Sequence, residues 1–214
     1  MSDGKRDLEA RAVGRLTFFS DAVVAIAITL LAIDLPVPVG DTVPEFSASV
    51  RHNGGHYAAF LISFIAISAA WSHHHDIFQY ARRMDSRLRT LNTAWLFMII
   101  LNPFATKLLT SQGNKNLYVH ALRFGFYSLL QALASAVLLV MLRHMLSHDQ
   151  APGIPEPVVT DNAWQTYGLL AGFGLSIPVF FITTYGWVVW VIGPLLVHRL
   201  YRLRHGKQRH PGTT

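Results

Sequence analysis

The sequence lacks cysteine altogether and has few charged residues. Only 14% of its 214 residues are charged, whereas about a quarter are charged in a typical soluble domain. Without cysteine, the chain cannot form a disulfide, a cysteine-based zinc site or a thiol nucleophile. Apolar residues are abundant instead and make up 51% of the chain. This balance indicates an integral membrane protein.

Six apolar stretches approach the roughly 20 residues that a helix needs to cross the hydrocarbon core of a bilayer. They lie at about residues 14–36, 55–77, 91–111, 119–143, 162–182 and 185–200. We therefore predict an all-α integral membrane fold with six transmembrane helices per subunit, in a domain that covers residues 14–203. Residues 1–13 are predicted to be a cytoplasmic leader, residues 37–54 a turn-rich outer cap, and residues 204–214 a disordered cytoplasmic tail.

The basic residues indicate the orientation of these helices. Lys and Arg are enriched in cytoplasmic flanks, and 14 of the 18 basic residues lie inside if both termini are cytoplasmic. The other four are Arg51, Lys107, Lys115 and Arg123. Membrane topology therefore accounts for the formal charge of +6, and we expect a lipid bilayer rather than nucleic acid as the partner of these charges.

Polar residues stand at the start of the first apolar stretch, in the segment RLTFFSD at residues 15–21. The 12 residues between Asp21 and Asp34 are uncharged and span about 18 Å as a helix, which is less than the roughly 30 Å core. Because a carboxylate within a span normally faces protein or a water-filled path, Asp21 is predicted to face other helices and Asp34 to lie at the outer mouth. The open alternative is that Ser20 or Asp21 caps the helix N-terminus.

Helical phase defines one face of this first helix. At 100° per residue, Ala22, Ile26, Thr29 and Ile33 fall within about 60° of one another, and Leu30 flanks them. Core packing also produces such a stripe, so the stripe alone does not identify a pore. Arg15 and Asp21 are about 120° apart, which is poor geometry for a pair within one helix. Their partners are therefore predicted on other helices.

The segment resembles the hallmark of the transmembrane protein 175 family of potassium channels, which is an Arg, three residues and then Phe-Ser-Asp. Here these are Arg15, Phe19, Ser20 and Asp21, followed by the similar stretch AVVAIAITLLAIDLPVP. The resemblance implies a prokaryotic member with one six-helix unit in the plasma membrane. It also implies a homotetramer whose first helices line a central pore, although the sequence does not exclude a dimer.

The same resemblance implies roles for individual residues. Ile26 would form an apolar constriction that replaces a carbonyl selectivity filter, Thr29 would contribute to potassium selectivity, and Leu30 and Ile33 would continue the pore lining. Arg15, Phe19, Ser20 and Asp21 would brace the helices beside the pore. We expect weak selectivity for K+ over Na+, permeation by other monovalent cations, and no cofactor.

The predicted partners of the bracing motif lie in the segment WSHHHD at residues 71–76, which the topology places at the same membrane depth. Trp71, His73 and His74 are the candidates. The histidines could form hydrogen bonds, sense pH because histidine titrates near neutrality, or bind a metal. Three consecutive residues point in three directions on a helix, so a metal would need ligands from elsewhere.

Two other classes of function remain open. A proton-coupled secondary transporter could use Asp21 and the histidines at 73–75, but no paired half-sequences of the inverted-repeat kind are visible. An intramembrane enzyme has only the His/Asp cluster in its favour, because no motif pairs a nucleophile with a base. A channel rather than an enzyme is therefore the primary prediction.

Overall fold

A computed structural model describes residues 3–111, 116–183, 186–190, 192, 193 and 199 of the chain. The main elements are all α-helices: α1 (Asp3–Ile33), α2 (Val43–His52), α3 (Gly54–Phe78), α4 (Ser86–Thr110), α5 (Leu117–Ser147) and α6 (Glu156–Ile182). The part of the chain that is described contains no strand. The prediction of an all-α fold is confirmed to this extent.

Five of these helices are long and apolar enough to cross a membrane, namely α1 and α3 to α6. They correspond to the first five predicted spans. The predicted sixth span at 185–200 lies largely outside the described residues, and the predicted tail at 204–214 lies entirely outside them. The number of six spans and the cytoplasmic position of both termini therefore stay predictions.

Helix α1 is 31 residues long and continues unbroken through the RLTFFSD segment. Because it begins at Asp3, Ser20 and Asp21 lie far inside the helix and cannot cap its N-terminus. The capping alternative is therefore wrong, and residues 3–13 of the predicted leader extend the same helix. Buried residues recur along its inward face at intervals of seven, four and three residues, as expected for a helix packed along one side. The buried residues of this face are Val13, Ser20, Val24, Ala27 and Leu31.

The connection at 37–54 is more ordered than the turn-rich cap that the prolines suggested. It contains helix α2, whose N-terminus carries a capping box between Thr42 and Glu45. The Thr42 hydroxyl accepts a hydrogen bond from the Glu45 N–H, and the Glu45 carboxylate accepts one from the Thr42 N–H. The sequence TVPE fits the Ser/Thr-x-x-Glu pattern of this motif. The prediction was wrong because Pro44 was weighed as a turn residue, although proline is favoured in the first turn of a helix.

Two apolar clusters hold the helices together. One joins α1, α3, α4 and the C-terminal half of α5 around Trp95, Ile67 and Met141. The other joins α4, α5 and α6 around Tyr127, Phe124 and Phe173. Helix α1 packs only against α3 and α4 among the described helices, so most of its circumference is left uncovered by the described part of the subunit.

Asp85 joins the connection between α3 and α4 to the end of α5. Its carboxylate accepts a hydrogen bond from the Leu88 N–H at 2.7 Å and caps α4, while its second oxygen lies 2.8 Å from His144 Nε2. Partial burial raises the pKa of the Asp85 carboxyl, but the hydrogen bonds from Leu88, His144 and Gln150 and the charge of His144 outweigh this effect and lower the pKa below its ordinary value.

The lowered pKa of Asp85 predicts a loss of stability in acid. A group with a lower pKa in the folded state stabilises it fully above its unfolded pKa of about 3.9, and this contribution disappears as the pH falls through the folded pKa. We expect Asp85→Asn, which keeps a good N-cap residue, to cost at most about 1 kcal/mol at pH 7 because the side chain is partly exposed. Thermal unfolding in detergent should show this difference beginning to shrink at about pH 4 and vanishing below the lowered folded pKa. The exposed Asp161→Asn serves as the control, and an equal loss in that variant would contradict the assignment.

Candidate pore helix and its bracing network

The stripe on α1 is exposed in the subunit. Ile26 is 58% exposed, Leu30 41% and Ile33 75%, and Thr29 is exposed as well, with its hydroxyl donating to the Ile26 carbonyl at 2.8 Å. The alternative that this stripe packs in the subunit core is therefore wrong. An exposed apolar face on a membrane helix must contact either lipid or another copy of the chain, because contact of apolar surface with water is unfavourable.

Asp21 is joined to α3 by a hydrogen bond. Trp71 Nε1 donates to Asp21 Oδ1 at 2.9 Å, and Trp71 also packs against His75 one turn further along α3. The indole can make this bond because Trp71 and Asp21 lie at the same depth on neighbouring helices. The structure thus brings together two residues that the sequence placed in one network.

A buried chain of hydrogen bonds joins α1, α4 and α3 next to this contact. Asn92 Nδ2 donates to Ser20 Oγ at 3.0 Å, and His74 Nε2 donates to Asn92 Oδ1 at 2.8 Å. Ser20 Oγ in turn donates to the Leu16 carbonyl at 2.9 Å. All three side chains are buried, and buried polar groups stabilise a fold only when they are paired.

Aromatic rings fix the position of the His74 imidazole. The ring stacks on Phe78 at 4.1 Å and on Trp95 at 4.3 Å between centroids, with small interplanar angles. The ring therefore has little freedom to turn away from Asn92. Sequence reasoning named His74 but missed Asn92, because a single asparagine inside an apolar span carries no signal of the helix it faces.

The three consecutive histidines reach three different surroundings. His73 pairs with Gln165 on α6, His74 with Asn92 on α4, and exposed His75 stacks beside Trp71 on its own helix. Within the described ranges, no three His, Cys, Asp or Glu side chains lie close enough together to hold a metal ion. The arrangement favours the hydrogen-bonding role for His73 and His74.

Arg15 and Phe19 are not brought into the bracing network of this subunit. Both side chains are exposed, and Arg15 forms no hydrogen bond or ion pair with the residues that the structure describes. Since α1 leaves this face uncovered, the guanidinium is available to a neighbouring copy of the chain or to lipid headgroups.

A second buried polar cluster lies further along the bundle and was not predicted. Ser63 Oγ lies 2.7 Å from Thr106 Oγ1 and 3.1 Å from the Tyr127 hydroxyl, which also accepts from Gln131. These groups join α3, α4 and α5, and no residue of α1 contributes to the cluster. The only sign of this cluster in the sequence was that each of its residues is polar within an apolar span.

The comparisons with known proteins agree with the resemblance found in the sequence. Residues 15–103 match the model of the family described as endosomal/lysosomal potassium channel TMEM175. This segment holds the bracing motif, α3 and most of α4. The resemblance to this family, which consists of ion channels rather than enzymes, is confirmed.

Individual relatives show the same pattern. A protein named as a potassium channel from Streptomyces collinus is 38% identical over 96 residues, which is 45% of this chain and 47% of that relative. The human protein named endosomal/lysosomal proton channel TMEM175 is 31% identical over 115 residues, or 50% of this chain and 22% of that protein. The match thus spans about half the length of the bacterial relative.

The fold matches over a longer range. The crystal structure of a lysosomal potassium-selective channel TMEM175 homolog from Chamaesiphon minutus superposes with a TM-score of 0.68 at 25% sequence identity. The alignment covers 91% of this chain and 98% of that one. The similarity therefore extends beyond the segment in which the sequences match.

Proposed function

We propose that this chain, whose residues 15–103 match the TMEM175 family, is a potassium-permeable channel with a hydrophobic constriction on its first helix. One observation carries the proposal: α1 is braced by α3 and α4 on one face and exposes Ile26, Leu30 and Ile33 on the other. Copies of α1 that met along this face would enclose a narrow apolar path. The expected assembly is a homotetramer in the plasma membrane of a prokaryote, with a dimer as the alternative.

Ion permeation past Ile26 would depend on hydration. An apolar ring gates by size and by dewetting, and it supplies no carbonyl oxygens to replace the hydration shell of the ion. A cation must therefore cross with part of its water, and discrimination between K+ and Na+ is expected to be weak. Thr29 would add only limited polarity to the path, because its hydroxyl already donates a hydrogen bond to the Ile26 carbonyl.

The bracing motif would act on assembly and gating without touching the ion. Asp21 and Ser20 connect the cytoplasmic half of α1 to α3 and α4 through Trp71 and Asn92. A constriction one to two turns further along the helix keeps its diameter only if this connection is stiff. Exposed Arg15 would complete the motif across the boundary between copies.

A flux measurement separates this channel from the proton-coupled transporter. Purified protein in proteoliposomes should pass potassium down its gradient without a proton gradient, while a pH-sensitive dye records proton flux in the same vesicles. The relatives carry names of both potassium and proton channels, so both ions belong in the test. Potassium movement that strictly required a proton gradient would reject the channel in favour of the transporter.

Asp21→Ala is expected to damage assembly or gating more than selectivity. The variant removes the acceptor of the Trp71 N–H, and a lost hydrogen bond to a charged group costs about 1.5–3 kcal/mol. Size-exclusion chromatography should show less assembled protein, while the K+/Na+ flux ratio of the remainder stays within about twofold, since the ion path itself is unchanged.

Trp71→Phe is the matched partner variant, because it keeps an aromatic ring, although a smaller one, and removes the donor. It should reproduce the assembly defect of Asp21→Ala, and combining the two should add little to either alone. Fully additive losses would show that the two residues act separately.

A further inference from the structure

The outer end of α1 carries an ion pair that the bracing motif does not use. Lys107 Nζ on α4 lies 2.7 Å from Asp34 Oδ1, directly after the last residue of α1. The Lys107 side chain is 64% exposed and that of Asp34 43% exposed. Exposed pairs of this kind contribute only about 0–1 kcal/mol, so an approaching cation can compete with the ammonium for the carboxylate.

The local structure holds this carboxylate beside the exposed stripe. Asp34 follows Ile33, the outermost residue of the stripe, and lies about 40° from the direction of Leu30 when the helical phase is extended by one residue. The chain just beyond is fixed to α3, because the Tyr57 hydroxyl donates to the Pro36 carbonyl at 2.9 Å. Asp34 is thus held at one place on the rim of α1.

The pair also borders a cavity large enough for water. The cavity has a volume of about 210 Å³ and is lined by Asp34, Lys107, His56, Thr106, Thr110 and apolar residues of α1, α3 and α4. Liquid water occupies about 30 Å³ per molecule, so several waters fit beside the carboxylate. The cavity therefore has room for water that would hydrate a cation bound at Asp34.

We propose that Asp34 is a binding site for monovalent cations at the outer mouth of the conduction path, and that Lys107 occupies this carboxylate and limits cation entry. This inference rests on the proposed function, because it requires the exposed face of α1 to line the path. In an assembly of several copies, Asp34 and Lys107 would alternate around the mouth. The net charge seen by an entering ion then depends on which of the two side chains is present.

The test measures potassium flux in proteoliposomes at constant K+ and at two ionic strengths set with an impermeant salt. At about 10 mM the screening length is roughly 30 Å, and at about 1 M it is roughly 3 Å. We expect Lys107→Met to raise flux about threefold at low salt, the Boltzmann factor for a unit charge about 7 Å away in water. Asp34→Asn should lower flux by a similar factor, and the double variant should resemble the wild type, since both are neutral at the rim.

At low salt, flux should therefore be highest for Lys107→Met, intermediate for the wild type and the double variant, and lowest for Asp34→Asn. These differences in flux should disappear at high salt. Arg51→Gln on α2 is the control for a basic residue on the same predicted side, and it should leave flux unchanged. Magnesium added outside should inhibit Lys107→Met more strongly than the wild type, because unpaired carboxylates are hard oxygen ligands for this ion.

Other outcomes separate the two proposals. If both single variants lowered flux, or if their order persisted at high salt, the ion pair would only join α1 to α4, and the binding site would be rejected. The same conclusion follows if Ile26→Asn changes flux while the rim variants do not, in which case the channel proposal still stands. A wild-type protein that passed no potassium would overturn both.

Discussion

Ile26→Asn should raise potassium flux about tenfold and reduce the preference for K+ over Na+ toward unity. A tenfold rise corresponds to a barrier lower by about 1.4 kcal/mol. The physical reason is the dewetting barrier of an apolar ring, which disappears when each copy presents an amide that can hold water. Ion-resolved flux into proteoliposomes measures both quantities in one preparation, and the measurement needs no knowledge of the gating stimulus.

The matched control is Ile65→Asn on α3. Ile65 is as exposed as Ile26, but it lies on a helix that the proposal does not place at the pore. Both variants put an amide on an exposed apolar face, so both should weaken insertion or stability to a similar degree. Only the Ile26 variant should change selectivity. Equal flux and selectivity in Ile26→Asn and the wild type would remove Ile26 from the conduction path.

Graded variants at the same position sharpen the test. Ile26→Val and Ile26→Ala keep the ring apolar while widening it, so flux should rise with little added polarity. If width alone set the barrier, Ile26→Ala would match or exceed Ile26→Asn. If dewetting dominates, the asparagine variant should conduct best although its side chain is larger than alanine.

The course of α1 could be predicted from sequence because a membrane helix is governed by local rules. The apolar length of the helix, its helical phase and the cost of burying Asp21 depend only on the order of residues. From these the face that carries Ile26 and Ile33 could be distinguished from the rest of the helix. Which face would be covered was not predictable. That depends on α3 and α4, whose positions follow from contacts distant in sequence.

The partners within the bundle show where sequence reasoning ends. Trp71 and His74 could be placed at the depth of Asp21, because topology aligns the ends of neighbouring spans. Asn92 and Gln165 could not, since an isolated amide in an apolar span fits several helix neighbours equally well. Helix α2 was missed for a different reason: its capping box was present in the sequence, but the prolines around it were read as turn residues.

Asn92→Ala should destabilise the protein by breaking the buried part of the bracing network. The amide joins Ser20 and His74 across three helices, and all three side chains are buried. Its removal leaves the His74 N–H without an acceptor in a site closed by Phe78 and Trp95, and an unpaired buried group costs about 1–3 kcal/mol. Ser20 suffers less, because its hydroxyl keeps the Leu16 carbonyl as a partner.

Asn102→Ala is the control that isolates this network, since Asn102 is also a buried asparagine on α4. Its amide donates only to the Met98 carbonyl of its own helix, and its Oδ1 has no partner among the described residues. Both variants create a similar cavity, so the difference between their melting temperatures in detergent reports the lost hydrogen bonds. We expect Asn92→Ala to melt lower by about 5 °C, and equal melting would contradict a structural role for the network.

The double variant Asn92→Ala/His74→Phe completes the argument. Phenylalanine retains the stacking on Phe78 and Trp95 but has no N–H to leave unpaired, and replacing both partners of a hydrogen bond by apolar groups can be nearly neutral. The double variant should therefore be more stable than the sum of the single losses predicts, by about 1 kcal/mol or more. A strictly additive result would mean that His74 is held by its aromatic neighbours alone, and the stiffness that we assign to the N-terminal half of α1 would then have to come from Asp21 and Trp71.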